Sequence, residues 1–233
     1  MTAEEIEKNF GIVPGSFADY ENVKHFYDKF PDYKEGLEWI REFISKPDKN
    51  LGRTGDICPF TTPAMQQNLL KFVSIKTIEA SALEAAEQTK LLVNLFFELF
   101  QGAEKRSRAA LLAFFPDIPR TEAAGFIDGG HRIMRLEFVK NGLMLGEFHA
   151  KSEVGSVRNE RFKVMQCPVP MFVVRALSAH DIKFLDRPIY PIAERHEYLV
   201  NYKRYLSPTL PPQLNSEIDK RILALKEDKG FHV

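Results

Sequence analysis

Cys58 is the residue whose type and surroundings offer the most chemistry in this chain. It follows a basic, glycine-containing loop, Gly52-Arg53-Thr54-Gly55, and precedes Pro59-Phe60. Proline biases the residue before it to extended backbone, so the thiol sits on a stiff segment. Arg53, five residues upstream, favours the thiolate, the form that ligates metal or attacks an electrophile. Cys-Pro also occurs where haem iron takes a cysteine sulfur, whose electron donation favours O–O cleavage. The competing reading is a packed cysteine acting as a small apolar residue. Cys167-Pro168-Val169-Pro170 repeats the dipeptide. There a packed cysteine entering a strand is the favoured reading, ahead of a redox partner for Cys58 or a second metal ligand.

Histidines and arginines supply the other candidates. His131 lies in a stretch patterned as a helix, with Ile127, Met134 and Phe138 at i−4, i+3 and i+7. It therefore sits on an apolar face, beside Gly129 and Gly130. Paired glycines inside a helix point to close approach by something flat or bulky, or to a helix break. His131 either faces a cofactor or is a core histidine bonded to a backbone carbonyl. His149 ends a strand and enters the long polar loop from Ala150 to Gln166. Strand ends beside long loops are where side chains reach pockets, which makes His149 a candidate general base; a solvent-exposed turn histidine is the bland reading. His25, His180, His196 and His232 have no supporting context, and no spacing fits HExxH or structural zinc.

Arg175 interrupts the apolar run Met171-Phe172-Val173-Val174. A charge in such a strand finds a carboxylate, either internal, such as Asp181, or belonging to a substrate or cofactor. Arg158, Asn159 and Arg161 in the preceding loop add anion contacts or form a solvated loop face. GxGxxG, GxxxxGK[ST] and GxSxG are all absent, which disfavours nucleotide chemistry and the serine elbow.

These residues need elements to position them. Thr2 with Glu5 fits a capping box, and the first fifty residues read as helical, with Leu37, Ile40, Phe43 and Ile44 at helical spacing before Pro47. Thr62-Pro63 reads as an N-cap and first helical residue. Strands are expected over Leu70–Ile78, Ala110–Phe115, Leu143–His149 and Pro170–Leu177. Ser81 with Glu84 opens a helix reaching Gly102, and Thr121–Asn141 is a helix stopped by Gly142. Two more follow, Ile192–Leu206 and Gln213–Glu227. The expected fold is α+β (or an α/β sandwich), with a sheet of about four strands and packed helices. It is read as a single domain over 1–233: a helical N-terminal extension over 1–47, an α/β core over 48–187 and a helical C-terminal extension over 188–233.

Composition sets the outer limits. Among 233 residues, 32 basic side chains balance 32 acidic ones, and 44% are hydrophobic. That fraction supports a core and argues against disorder, while zero net charge disfavours a nucleic-acid binder. No apolar run is long enough to cross a bilayer. The start Met1-Thr2-Ala3-Glu4-Glu5 lacks the basic and apolar regions of a signal peptide, and two cysteines make no disulfide framework. The expectation is a cytoplasmic protein acting on small molecules, without nucleic-acid or membrane partners; a dimer is compatible with the sequence.

Three blocks resemble an uncharacterised bacterial domain family: Leu51-Gly52-Arg53-Thr54-Gly55-Asp56-Ile57-Cys58-Pro59-Phe60, Gly142 to His149, and Pro168 to Arg175. The resemblance spans roughly residues 45–190 and implies an accessory enzyme of natural-product pathways. The first block is also distantly similar to YqcI/YcgG-type haem proteins, which carry a Pro-Cys-x-Phe-like segment where this chain has Cys58-Pro59-Phe60. That similarity implies a haem-dependent oxygenase of specialised metabolism, N-hydroxylating an amino-acid-like or guanidine substrate with electrons from a separate donor. Cys58 would be the iron's thiolate ligand. Arg53, Arg158 and Arg175 would bind haem propionate or substrate carboxylate, with His149 or His131 on the distal side. Two other readings stand beside it. One is a transferase or hydrolase using Cys58 as nucleophile and His149 as base. The other is a non-catalytic protein that binds a small anion.

Overall fold

The computed structural model describes residues 2–228, so Met1 and His232 lie outside the described residues. In chain order the elements are helix α1 (Ala3–Asn9), strand β1 (Ala18–Asp19), α2 (Pro31–Trp39), α3 (Thr61–Gln66), β2 (Leu70–Ser74), α4 (Ala82–Leu99), α5 (Ala103–Arg106) and β3 (Ala110–Phe114). They continue with α6 (Ala123–Lys140), β4 (Leu143–Phe148), β5 (Met171–Ala176), α7 (Ile182–Leu185), α8 (Ile192–Leu206) and α9 (Pro212–Asp228). The fold is mixed α+β. Among the described residues, no helix is long and apolar enough to cross a membrane.

Several boundaries follow from local chemistry. The Thr2–Glu5 capping box is formed, with Glu5 N–H donating to Thr2 Oγ1 at 3.2 Å and Thr2 N–H to Glu5 Oε2 at 2.8 Å. Ser81 caps α4 by accepting from Glu84 N–H at 3.1 Å. Gly142, at φ 72°, ends α6 in the left-handed region that glycine enters without strain. Position 62 departs from expectation. Helix α3 begins two residues earlier, at Thr61 with Phe60 before it, and the Thr62 hydroxyl bonds the Asp56 carboxylate instead of capping.

The sheet has five strands in the order β1-β2-β3-β5-β4, one more than the sequence suggests. The additional strand, β1, lies in the region read as helical. It is two residues long and pairs antiparallel with β2 through Ala18–Phe72 and Asp19–Lys71. Two residues are too short to show any period, which is why the sequence hides them. Strands β2 and β3 are parallel neighbours joined through α4, whereas β3 and β5 run antiparallel from Ala110–Arg175 to Phe114–Met171. The helical run containing α2 continues as a π-helical turn over Ile40–Ile44, closed by Ser45 N–H donating to Ile40 C=O.

The chain divides into two compact units. The first holds the residues up to Met134 together with Leu145–Arg175. Its sheet is covered on both faces. On one, α2 lies so close that a Cβ on Gly36 would meet the Phe114 ring at 2.6 Å, and Tyr33 packs on Phe72 and Phe114. On the other, Phe172 packs on Phe115 and against Gly130 of α6, which in turn abuts α4 at Ala85. The second unit holds Arg135–Met144 and the residues from Ala176 onward. Its core gathers Val139, Leu177, Leu185, Tyr198, Tyr202, Leu210 and Ile218.

Candidate functional site

Strand β4 sorts its side chains by alternation. Phe148 turns to the α2 face, where its ring meets Trp39 at 5.5 Å. Glu147 and His149, on either side of it in sequence, turn to α6. There Asp128 and His131 stand three residues apart, which places them on one side of the helix. Two imidazole–carboxylate pairs result. His149 Nε2 lies 2.9 Å from Asp128 Oδ1, and His131 Nε2 lies 3.2 Å from Glu147 Oε2.

The pairs differ in setting. The His149 side chain is 1% exposed and Asp128 42%, while His131 and Glu147 are 13% and 15% exposed. Because an ionised carboxylate only accepts, a neutral His149 ring meeting Asp128 through Nε2 carries its proton on that nitrogen. Nδ1 is buried and bonds to no group among the described residues. A turn closed by Ser152 N–H donating to His149 C=O begins the long loop at this residue.

The glycines beside His131 have a packing explanation. A Cβ on Gly129 would stand 2.5 Å from Ala82 Cβ, and one on Gly130 equally close to Ala85 Cβ. The bulky neighbour that approaches the glycine pair is helix α4. Close approach of α4 sets where α6 lies, and with it where Asp128 and His131 stand.

Cys58 is on the other face of the sheet. Its N–H donates to Ile44 C=O at 2.9 Å, its C=O accepts from Thr61 Oγ1 at 3.0 Å, and the thiol is half-buried. Two residues on, the Phe60 ring lies under the Arg175 guanidinium at 5.4 Å. Arg175 is odd in register to Phe172 on β5, so it projects to the α2 face. Cys58 and Arg175 thus share a neighbourhood, and His131 with His149 share another. Neither histidine stands opposite the thiol, as a distal group or as its base.

Arg53 and Arg158 are turned to backbone. Arg53 donates to the carbonyls of Thr54, Asp56 and Ile57 at 2.8–3.0 Å, bracing its own loop. Arg158 donates to Gly52 C=O at 3.4 Å and Asn159 Nδ2 to Asn50 C=O at 2.9 Å, which docks the long loop on the glycine loop. Arg161 is exposed. Asp181 accepts from Ser178 N–H and hydroxyl, closing a capping box. Among the described residues, no group of three or more His, Cys, Asp or Glu is arranged to hold a metal ion.

Cys167 is fully buried at the start of the segment leading to β5, as the packed reading expects. Burial pushes its thiol up to about 12, well above an ordinary cysteine. In the native protein at pH 8, a thiol-disulfide reagent should therefore titrate Cys58 alone, with Cys167 reacting only after denaturant. Rapid labelling of two thiols in the folded state would contradict this packing. The raised value also gives stability a sign: the unfolded thiol ionises near 9 and the folded one near 12, so stability falls as pH climbs between them.

Asp128 and Glu147 did not stand out in the sequence. Their signal was present as Asp128-Gly-Gly-His131 on a helix and Glu147-Phe148-His149 on a strand, each acid sharing a face with its histidine. Comparison with known proteins places this site within a family. Residues 33–217 match the family described as Domain of unknown function (DUF6875). The chain belongs to that family. The DUF6875 match takes in both imidazole–carboxylate pairs, Cys58 and Arg175, and ends within α9. It agrees with the uncharacterised family expected from the sequence. No curated protein and no solved structure matches the chain.

Proposed function

We propose that this protein is an enzyme that acts on a small molecule by proton transfer at the α6–β4 site, with His149 and His131 as the exchanging groups. One observation carries the reading: two separate imidazole–carboxylate pairs, at 2.9 and 3.2 Å, join α6 to the end of β4 and the residue just after it. A carboxylate that orients an imidazole is the usual arrangement for a side chain that takes and returns protons near neutral pH. Two such pairs supply an acid and a base. Fastening α6 to β4 needs no such groups, because apolar contacts do that without desolvating polar atoms.

The test is a thermal-shift screen of the full chain against a library of small metabolites, repeated on His149→Gln and His131→Gln. Compounds that stabilise the wild type should lose at least about tenfold in affinity in one or both variants, a loss of the size of one hydrogen bond to a charged or polarised group. Ligands that bind the wild type and both variants equally would overturn the assignment.

Haem ligation by Cys58 is the second reading, and the half-buried thiol beside the Arg175–Phe60 pair favours it. The similarity to YqcI/YcgG-type proteins supports it. In this reading Cys58 would hold the iron and Arg175 would balance a propionate, while haem would supply the activation of oxygen for an N-hydroxylation in bacterial specialised metabolism. Arg53, engaged with its own loop, braces the segment that carries the ligand. The protein purified after haem-supplemented expression should show a Soret band that disappears in Cys58→Ala. Colourless protein, or a band indifferent to that substitution, would remove this reading.

A further inference from the structure

We infer that Asp128 is the positioning residue that fixes His149 as its Nε2–H tautomer and thereby makes buried Nδ1 the basic atom of the site; this rests on the proton-transfer reading above. The His149 side chain is 1% exposed, and of its two ring nitrogens only Nε2 has a partner among the described residues. Asp128 Oδ1 at 2.9 Å can only accept, so Nε2 must donate. The opposite tautomer would set two acceptor atoms against each other at Nε2 and bury an N–H at Nδ1 without an acceptor. Both faults act in the same direction, since each leaves a buried polar atom unsatisfied.

The chemical consequence is specific. A lone pair at Nδ1 accepts from a donor, so a substrate group that reaches it carries an O–H or N–H. When His149 takes that proton, the substrate's X–H bond breaks, its electron pair stays on X, and an Nδ1–H bond forms. The resulting imidazolium keeps its Nε2–H on Asp128, and the carboxylate offsets the new positive charge. Asp128 touches no substrate in this scheme; it acts through the ring.

The tautomer is directly observable. In full-length protein with ¹⁵N-labelled histidine, long-range ¹H–¹⁵N correlation distinguishes a protonated ring nitrogen from a bare one, and His149→Gln identifies the signal. The expected wild-type result is a protonated Nε2 and a bare Nδ1 in the neutral form of the ring. Asp128→Ala should abolish the fixed tautomer, leaving both nitrogens with averaged signals, and Asp128→Glu should restore it. A protonated Nδ1 in the wild type overturns the inference, and so does an unchanged tautomer in Asp128→Ala. The wild-type spectrum alone decides the first point, however the variants fold. A reversed tautomer would leave the proton-transfer reading standing. Ligands indifferent to both histidines would remove that reading without moving the spectrum.

Discussion

Gly130→Val should lose about 3 kcal/mol of unfolding free energy, a large part of the roughly 5–15 kcal/mol that holds a domain folded. The expectation comes from three contacts. A Cβ at this position would stand 2.5 Å from Ala85 Cβ, 3.3 Å from the Ala85 carbonyl carbon and 3.3 Å from Phe172 Cζ. None of the first two can swing aside, because they belong to a small side chain and to the α4 backbone. Removing glycine from a helix interior returns only about 1 kcal/mol, so overpacking wins. The clash also pushes α6 off α4 and moves Asp128 and His131 relative to β4. Denaturant unfolding measures the loss, and the pair of substitutions Ala85→Gly with Gly130→Ala should recover most of the effect of Gly130→Ala alone. A Gly130→Val protein as stable as the wild type would show that α4 and α6 do not meet as described.

The second large effect is chemical. Once a substrate is in hand, His149→Gln should lower turnover by about 10²–10⁴-fold, the usual contribution of a positioned general base. Glutamine retains an amide N–H to donate to Asp128 but offers no titrating nitrogen, so the fold should survive while proton transfer fails. A structural histidine would behave in the opposite way, with stability changing and the rate unaffected. His131→Gln should show the same separation of rate from stability, since its partner Glu147 sits 3.2 Å away in an equally defined pair. Rates unchanged in both variants would mean that the pairs only fasten helix to strand.

Much of the framework was legible because it is carried by periods and caps. Four of the five strands, both capped helices at Ser81 and Thr2, the glycine stop at 142 and the helix Ile192–Leu206 stand where the sequence patterns put them. Strand β1 was not legible, since two residues carry no alternation and their pairing is dictated by β2, over fifty positions away. The π-helical turn at Ile40–Ile44 was hidden for a related reason: its apolar spacing satisfies an ordinary helix just as well.

The site was half legible. His131 and His149 could be singled out from their flanks, but their partners could not, because aspartate and glutamate are common on helix and strand surfaces. Only the folded register shows that Asp128 meets His149 and Glu147 meets His131, a crossing of near neighbours between two elements. Cys58 drew attention through its glycine loop and proline. The alternation of β4 and β5 separates it from both histidines, information that no local motif contains. Arg53 and Arg158 likewise had the right charge for an anion, yet their guanidinium groups close loops onto backbone carbonyls.

The central claim is that the two imidazole–carboxylate pairs bind and deprotonate a small molecule. The metabolite thermal-shift screen, run in parallel on wild type, His149→Gln and His131→Gln, tests it most directly. The account predicts at least one ligand whose stabilisation of the wild type is lost in a folded histidine variant. Ligands that stabilise all three proteins alike, or none that distinguishes them, would contradict it.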